Sequence, residues 1–203
     1  MTKLCIDLCA GLKGFSQAFE ESKEWEVITL EINKKQKPTI QADVKHLPLR
    51  PGLDPEVLLA SPPCNHFSLA CLQFPRKGVK NALEIVGACF EAVAILKPKY
   101  WFIENPRGRL RGIIGKPKTT IRYSDYDSKI KMMKTTDFWG NIQLPMVKHE
   151  RRIKLSSGMT RIERLKKHFP HETKQGKAER AKVPYGVSKA VFEGVKTSLD
   201  NSD

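Results

Sequence analysis

The sequence lacks the features that mark membrane, secreted and zinc-binding proteins. It contains no run of about 18 or more apolar residues, so no transmembrane helix is expected. The opening stretch MTKLCIDLCAG is too short, and at Asp7 too acidic, for a secretory signal. The five cysteines are odd in number and include no CxxC pair, which argues against a structural zinc site and for unpaired thiols in a reducing compartment. We therefore expect a cytoplasmic protein, in a cell or a virus-infected cell, that binds neither metal nor membrane.

Positive charge is concentrated in one part of the chain. The 203 residues include 36 Lys and Arg against 22 Asp and Glu, which gives a net charge of +14. Residues 106 to 183 hold 21 basic and 7 acidic residues, and the rest of the chain holds 15 of each. An excess confined to one segment is typical of proteins that bind the phosphate backbone of nucleic acids. A merely solvated, soluble face is the alternative, although a balanced surface would serve solubility equally well.

The first hundred residues alternate between strand and helix patterns. Short apolar runs predict strands in KLCIDLCA, WEVITLEI, PTIQADV, PEVLLAS and KYWFIEN. Helical spacing predicts helices in FSQAFEESK and from about Ala82 to Leu96. This β-α-β-β-β-α-β order predicts an open, mainly parallel sheet with helices on both faces. After Pro106, KTTIRYSDY and KTTDFWGNI are candidate strands, RIERLKKHF is a candidate short helix, and VPYGVSKAVFEGVKTSL is a closing amphipathic helix.

A glycine turn after the first predicted strand is followed by an acid at a characteristic distance. Gly11 and Gly14 allow a tight turn at the sheet edge where open α/β proteins bind ligands. Glu31 ends the second strand 20 residues after Gly11, a spacing that suits a carboxylate accepting both ribose hydroxyls of a nucleoside cofactor. Asp43, after the third strand, could accept a hydrogen bond from an adenine amino group. An ordinary structural turn is the alternative explanation for the glycines.

A cysteine and a glutamate end two further predicted strands. Cys64 directly follows Pro62 and Pro63 after the fourth strand, and Glu104 lies at the end of the fifth. The rigid prolines would present the thiol at the ligand-binding edge, where it could act as a nucleophile once its pKa is lowered. A thiol and a carboxylate at one edge suggest a reactive pair rather than a packing motif. A structural cysteine in a turn is the alternative.

These motifs together resemble those of the cytosine-5 DNA methyltransferases. DLCAGLKGFSQAF is similar to the first motif of the family, SPPCNHFS to its proline-cysteine motif, and ENP to its glutamate motif. Glu31 and Asp43 match its ribose-binding and adenine-binding acids, and RAKVPYGVSKAV resembles the C-terminal segment that returns to the cofactor site. The motifs occur in the order of the family and cover nearly the whole chain. The resemblance implies a Rossmann-like α/β fold of the S-adenosylmethionine-dependent methyltransferases, with a mostly parallel sheet and helices on both faces.

The resemblance also implies three groups of site residues. The catalytic group would be Cys64 as the nucleophile, Glu104 as the residue that supports ring protonation, and Arg122 as a candidate base-binding arginine. The pocket for S-adenosylmethionine, and for its product S-adenosylhomocysteine, would contain Asp7, Cys9, Ala10, Gly11, Gly14, Phe15, Glu31, Ile32, Asp43, Val44, Ser61, Pro62 and Ser188. The contacts to duplex DNA with a flipped cytosine would come from Pro63, Asn65, Ser68, Arg76, Lys77, Asn105, Arg151 and Arg152.

The chain departs from the family pattern in three places. Lys13 stands where glycine is usual, which would also permit an unusual carboxylated cofactor. The segment TTIRYSDYDSKIKMMKTTDFWGN replaces the usual glutamine-arginine-arginine motif, as in a shorter, phage- or archaeon-like branch. The target-recognition region is small: we predict a catalytic domain of residues 1–143 and 181–203 and a small basic segment of residues 144–180. An RNA or tRNA cytosine-5 methyltransferase and a non-catalytic nucleic-acid-binding homologue stay as alternatives.

Overall fold

In the computed structural model, which describes residues 2–68, 78–127, 130, 134–145 and 181–201, seven strands form one sheet. The strands are β1 (Lys3–Leu8), β2 (Trp25–Glu31), β3 (Ile40–Gln41), β4 (Val57–Ala60), β5 (Tyr100–Pro106), β6 (Thr119–Arg122) and β7 (Thr135–Gly140). Their order in the sheet is β3-β2-β1-β4-β5-β7-β6. All pairs among β1 to β5 are parallel, and β7 runs antiparallel to both β5 and β6. The predicted mostly parallel sheet is confirmed.

The described residues also form five α-helices and two short 3₁₀-helices. The α-helices are α1 (Gln17–Glu20), α2 (Val79–Leu96), α3 (Arg111–Ile114), α4 (Tyr123–Tyr126) and α5 (Tyr185–Asp200). The 3₁₀-helices are Lys34–Gln36 and Val44–His46. None of the helices in these ranges combines the length and the apolar content that crossing a bilayer requires.

The helices follow the sequence-based predictions in part. α2 ends at Leu96 as predicted, since Lys97 adopts a left-handed φ of 47° and Pro98 follows. The stretch FSQAFEESK forms a single helical turn, and KTTIRYSDY divides between β6 and α4. KTTDFWGNI contains β7. The predicted helix RIERLKKHF lies outside the described residues, as does the small basic segment from residue 146 onward, so the division into two parts stays a prediction.

Alternating side chains of the central strands build a hydrophobic core on each face of the sheet. Successive residues of a strand point to opposite faces, so Cys5 packs on one side and Ile6 on the other. On the side of Cys5 the sheet contacts α5 through Val187, Val191 and Val195. On the side of Ile6 it contacts α2 through Ala82, Val86, Cys89, Ala92 and Leu96. Helices therefore cover both faces, and the valine stripe predicted for the closing helix is buried.

The strand directions bring several chain segments to one edge of the sheet. β1, β2, β4 and β5 are parallel, so the residues that follow them emerge at the same edge. β6 is antiparallel to β7, which is itself antiparallel to β5, so the end of β6 lies at this edge too. β7 begins there. The glycine turn, Cys64, Glu104 and the β6–β7 hairpin are thus neighbours in space although they are far apart in sequence.

An ion pair between a partly exposed arginine and a buried aspartate fastens α3 to the antiparallel strands. The side chain of Asp137, on β7, is fully buried and accepts hydrogen bonds from the guanidinium group of Arg111. The hydroxyl of Thr120, on β6, donates to the same carboxylate at 2.9 Å. Because a buried charge is costly unless it is paired and hydrogen-bonded, this cluster fixes β7 in its place between β5 and β6. Arg111 is therefore engaged in the fold.

We predict that Arg111→Leu lowers the free energy of unfolding by about 3 kcal/mol, since it leaves the buried carboxylate of Asp137 without its charged partner. Urea denaturation followed by circular dichroism measures this loss. The control is Arg107→Leu, an exposed arginine four positions earlier, which should change stability by less than about 0.5 kcal/mol. Equal losses in the two variants would contradict the assigned role of the ion pair.

Candidate active site

The carboxyl group of Glu104 is buried at the edge of the sheet. Glu104 is only 4% exposed, and its Oε1 accepts hydrogen bonds from the hydroxyls of Tyr123, at 2.9 Å, and Thr136. Burial raises the pKa of Glu104 above its ordinary value, and the positive charge of Lys134 together with the two hydroxyls opposes this rise. The environment thus favours the acid form of Glu104 more than water would.

Cys64 lies in a turn that is tied to the neighbouring strand. The carbonyl of Pro62 accepts a hydrogen bond of 3.1 Å from the amide group of Asn105, the residue after Glu104. The carbonyl of Cys64 accepts backbone hydrogen bonds from Phe67 and Ser68, each of 3.1 Å. These bonds close the turn and hold the half-buried thiol next to β5.

Tyr123 contacts the carboxyl group of Glu104 and lies near the thiol of Cys64. Burial raises the pKa of Tyr123 well above its usual value, and the negative charges of Glu104 and, less strongly, Cys64 raise it further. Cys64 therefore lies close enough to Tyr123 to interact with it electrostatically. The pairing of β4 with β5, which aligns Ala60 with Ile103, explains this proximity. The structure thus brings Cys64 and Glu104 to one edge, as the strand pattern predicted.

The glycine turn holds the carboxylate of Glu31. Cys9, Gly11 and Lys13 adopt left-handed φ values of 53°, 49° and 55°, so the chain coils tightly after β1. This turn directs the N–H of Gly11 to Glu31 Oε2 at 3.0 Å, and Asn33 N–H donates to Oε1 at 3.0 Å. An ionised carboxylate offers about four acceptor sites, so Glu31 retains capacity for two ligand hydroxyls.

Several buried polar atoms near the glycine turn lack partners among the described residues. Asp7 is completely buried, yet neither of its carboxylate oxygens accepts a hydrogen bond of standard geometry. Burial raises the pKa of Asp7 from 3.8 to about 7, although the nearby Ser16 acts to lower it. The hydroxyl of Ser16 is buried beside Asp7 but outside hydrogen-bonding geometry, and the hydroxyl of Ser61 is also buried without a partner among the described residues. Since unpartnered buried polar groups are rare and costly, their concentration here fits a site that a polar, cationic ligand completes.

The surface beyond Glu31 offers an apolar contact and a second carboxylate. Ile32 directly follows Glu31 and is 63% exposed, so its apolar side chain is accessible to a ligand. Asp43 begins the 3₁₀-helix Val44–His46, where its Oδ1 accepts from Lys45 N–H at 3.0 Å. An exposed apolar side chain and a carboxylate are the groups that an adenine ring and its amino group would need, so these residue types fit a nucleoside cofactor.

The other residues predicted to bind the cofactor are engaged in packing. Phe15 is buried against Phe138 with ring centroids 5.7 Å apart. The Ser188 hydroxyl donates to the Phe15 carbonyl at 2.7 Å and accepts from Ala18 N–H at 3.0 Å, which ties α5 to the glycine turn. A Cβ at Gly14 would clash with the carbonyl of Val183. The remaining members, all buried or half-buried, are Cys9, Ala10, Val44 and Pro62. Their roles toward a cofactor stay predictions.

The residues predicted to bind DNA are only partly described. Pro63 and Asn65 are exposed beside Cys64, and Ser68 forms an isolated β-bridge with Gly108. Asn105 is buried, and its Oδ1 has no partner among the described residues. Four predicted residues, Arg76, Lys77, Arg151 and Arg152, lie outside the described residues.

Sequence reasoning missed the side chains that surround Glu104. Arg122, the candidate base-binding residue, is exposed at the end of β6, and the next residue, Tyr123, contacts Glu104 instead. Thr136 and Lys134 complete the surroundings. An indication was available in the segment that replaces the arginine-rich motif, because its two predicted strands could form a hairpin beside the glutamate strand. Within the described ranges, no group of three or more His, Cys, Asp or Glu side chains could hold a metal ion.

Comparison with known proteins identifies the family. The model of the C-5 cytosine-specific DNA methylases matches residues 4–138, a range that includes the glycine turn, Cys64 and Glu104. A probable DNA (cytosine-5)-methyltransferase of Frog virus 3 (isolate Goorha) is 28% identical over 154 residues, which are 68% of this chain and 70% of the relative. The chain belongs to the C-5 cytosine-specific DNA methylase family, which confirms the predicted family and the predicted class of enzyme.

Two solved methyltransferase structures match parts of this chain. A putative DNA modification methyltransferase encoded within a prophage of E. coli has a TM-score of 0.50 at 17% identity, over 71% of this chain and 49% of its own. This chain therefore spans about half the length of that protein. The methyltransferase EhMeth of Entamoeba histolytica has a TM-score of 0.37 at 19% identity, over 53% of this chain and 39% of its own. The similarity to the prophage protein confirms the predicted Rossmann-like methyltransferase fold.

The buried Asp7 predicts a dependence of stability on pH. The carboxyl group ionises near 3.8 when unfolded and near 7 when folded, so the folded state binds this proton more tightly. The contribution of this bound proton to the free energy of unfolding is complete below pH 3.8 and declines as the pH rises toward 7. Wild-type protein should thus lose roughly a few kcal/mol over this range relative to Asp7→Asn, as measured by urea unfolding. Asp54→Asn, at an exposed position, is the control, and parallel curves for Asp7→Asn and wild type would refute the assignment.

Proposed function

We propose that this chain transfers a methyl group from S-adenosylmethionine to carbon 5 of cytosine in DNA, through a covalent adduct with Cys64. The observation that carries the proposal is the meeting of Cys64 and Glu104 at the ligand-binding edge of a methyltransferase sheet. Both residues lie within the range that matches the C-5 cytosine-specific DNA methylases. The name of the viral relative supports DNA as the substrate.

The cofactor would bind at the glycine turn. Glu31 would accept hydrogen bonds from the ribose hydroxyls, Asp43 from the adenine amino group, and Ile32 would cover the adenine ring. The buried carboxyl group of Asp7 would provide a countercharge for the cationic amino-acid end, which explains why burial without a partner is tolerated there. When bound, S-adenosylmethionine supplies an electrophilic methyl group.

Cys64 and Glu104 would make carbon 5 of cytosine reactive. Carbon 5 is a poor nucleophile until the Cys64 thiolate forms a bond to carbon 6, which leaves the ring enamine-like. Glu104 in its acid form would donate its proton to ring nitrogen 3 as the ring electrons shift, so that no full negative charge accumulates on the ring. After carbon 5 takes the methyl group, a base removes the proton from carbon 5, the carbon–sulfur bond breaks, and the proton on nitrogen 3 returns to Glu104.

The target cytosine would have to leave the double helix. A stacked base cannot reach a thiol at the edge of a sheet, and flipping it out costs a few kcal/mol. Pro63 and Asn65, which flank Cys64 and are exposed, would line the pocket for the flipped base. The basic residues between positions 106 and 183 would bind phosphates and thus offset the cost of flipping.

Cys64→Ala should abolish methyl transfer because the covalent step needs the thiolate. The assay measures transfer of a labelled methyl group to duplex DNA, with RNA as a competing substrate, and bisulfite sequencing locates the modified cytosines. Cofactor affinity and thermal stability of the variant should match wild type. Substantial turnover by Cys64→Ala would exclude the covalent mechanism, and transfer to RNA alone would replace DNA as the substrate.

Glu31→Ala should weaken the binding of S-adenosylmethionine by roughly 1–3 kcal/mol, the range for removing the partner of buried polar groups. Isothermal titration calorimetry gives the affinity. Glu26→Ala, at an exposed position of the same strand β2, removes the same charge and should leave the affinity unchanged. If both variants bind like wild type, the cofactor lies elsewhere.

A further inference from the structure

The β6–β7 hairpin surrounds Glu104 with side chains that none of the family-like motifs contains. β7 lies between β5 and β6, and neighbouring strands are about 4.8 Å apart. The long side chain of Tyr123, just beyond the end of β6, therefore reaches across β7 to Glu104, where Thr136 of β7 also points. The backbone N–H of Tyr123 donates to the carbonyl of Lys134 at 3.0 Å, so the start of β7 holds Tyr123 in place.

The two hydroxyls contact the same oxygen of Glu104. Tyr123 and Thr136 both donate to Oε1, and neither of them donates to Oε2. An oxygen that accepts two O–H donors is a poor position for a third proton, because that proton would face both donors. The acid proton of Glu104 is therefore directed to Oε2, the oxygen left for a ligand.

We infer that Tyr123 and Thr136 are positioning residues, which hold the acid proton of Glu104 on Oε2 and aim it at ring nitrogen 3 of the flipped cytosine. This inference rests on the proposed function. It assigns a chemical task to the segment that replaces the arginine-rich motif. Neither hydroxyl touches the base in this arrangement, and both act through Glu104.

Packing alone does not account for the two hydroxyls. Phenylalanine and valine would fill nearly the same volumes in this buried region, where Tyr123 is 2% exposed and Thr136 is fully buried. The backbone around Tyr123 is fixed by other contacts: a Cβ at Gly186 would clash with the carbonyl of Tyr126, so α5 packs directly on α4. The hydroxyl groups therefore act on Glu104, to which both donate, rather than on the packing of the surrounding backbone.

Lys134 complements this arrangement electrostatically. Its Nζ lies 4.6 Å from the centre of the Tyr123 ring, and its charge lowers the pKa of Glu104 against the effect of burial. The cation and the two hydroxyl donors all stabilise the ionised form, so Glu104 can release its proton to the ring and take it back. A buried carboxyl group without these partners would hold its proton too tightly for transfer.

The inference is tested with Tyr123→Phe, Thr136→Val and the double variant. Methyl transfer is measured in single-turnover experiments from pH 5 to 10, at saturating cofactor and duplex DNA, together with cofactor affinity. We expect each single variant to lose about tenfold and the double variant about a hundredfold in maximal rate, the latter being the lower end of what acid catalysis usually contributes. The alkaline limb of the pH profile should move to higher pH, because loss of the donors raises the pKa of Glu104. Cofactor affinity should not change.

Two controls separate this role from a structural one. Tyr126→Phe removes a hydroxyl from the same helix, α4, where it donates to the Pro145 carbonyl, and should leave both the rate and the pH profile unchanged. The single variant Glu104→Gln should transfer methyl groups more slowly than any of the hydroxyl variants. Circular dichroism checks that each variant folds. If the double variant does not fold, Tyr123→Phe alone tests the inference through its own loss of rate and its shifted alkaline limb.

The possible results are distinguishable. If wild type methylates DNA but the hydroxyl variants keep the wild-type rate, or lose rate without a shift of the alkaline limb, the inference is wrong and the proposed function stands. If wild type transfers no methyl group to any nucleic acid, the proposed function fails and the inference fails with it. A lower rate together with a shifted limb supports the inference.

Discussion

The burial of the Glu104 carboxyl group constrains everything around it at this edge of the sheet. A carboxyl group that is 4% exposed must be neutral or hydrogen-bonded, and the hydroxyls of Tyr123 and Thr136 meet this requirement. They can do so only if β7 is inserted antiparallel between β5 and β6. The ion pair between the buried Asp137 of β7 and the partly exposed Arg111 helps to hold β7 in this place. Glu104, which lies on the parallel strand β5, thus depends on hydrogen bonds from residues of the antiparallel part of the sheet.

The cofactor side of the site follows a different principle. At Glu104 the protein itself supplies hydrogen bonds to Oε1, whereas Asp7, Ser16 and Ser61 have buried polar atoms without a hydrogen bond of standard geometry from a described residue. A pre-formed site of this kind lowers the stability of the folded protein. The protein regains that stability when a ligand supplies the missing partners. The amino-acid end of the proposed cofactor is cationic and would pair with the carboxyl group of Asp7. Binding and folding would then be coupled through one carboxyl group.

Local patterns in the sequence were sufficient for the parallel half of the fold. The apolar runs of β1, β2, β4 and β5 and the apolar helix α2 have the lengths and spacing that strands and helices require. Cys64 and Glu104 could be placed at one edge because parallel strands end together. The glycine turn and Glu31 could be placed at the same edge for the same reason. The hydrogen bond from Gly11 N–H to Glu31 brings these two residues together although they are 20 positions apart.

The antiparallel half could not be predicted in the same way. Which strand β7 would pair with is decided by contacts far apart in sequence, such as Arg111 with Asp137. The approach of Tyr123 to Glu104 follows from that pairing, so attention fell on the neighbouring Arg122. The sequence pattern also predicted a longer α1 than the four residues that form it. The length of so short a helix is decided by tertiary contacts and not by its own sequence. Phe15 and Phe19 nevertheless share a buried face, as their spacing predicted.

The central claim is that Cys64 attacks the target base, and covalent trapping tests it most directly. In duplex DNA that carries 5-fluorocytosine, carbon 5 holds fluorine in place of the proton that must leave, so an adduct formed by the thiolate cannot break down. We expect a stable complex in the presence of S-adenosylmethionine, with the attached nucleotide located by peptide mass spectrometry on Cys64. The Cys64→Ala variant should form none. Methylation of ordinary DNA without any trapped complex, or an adduct on another cysteine, would contradict the account.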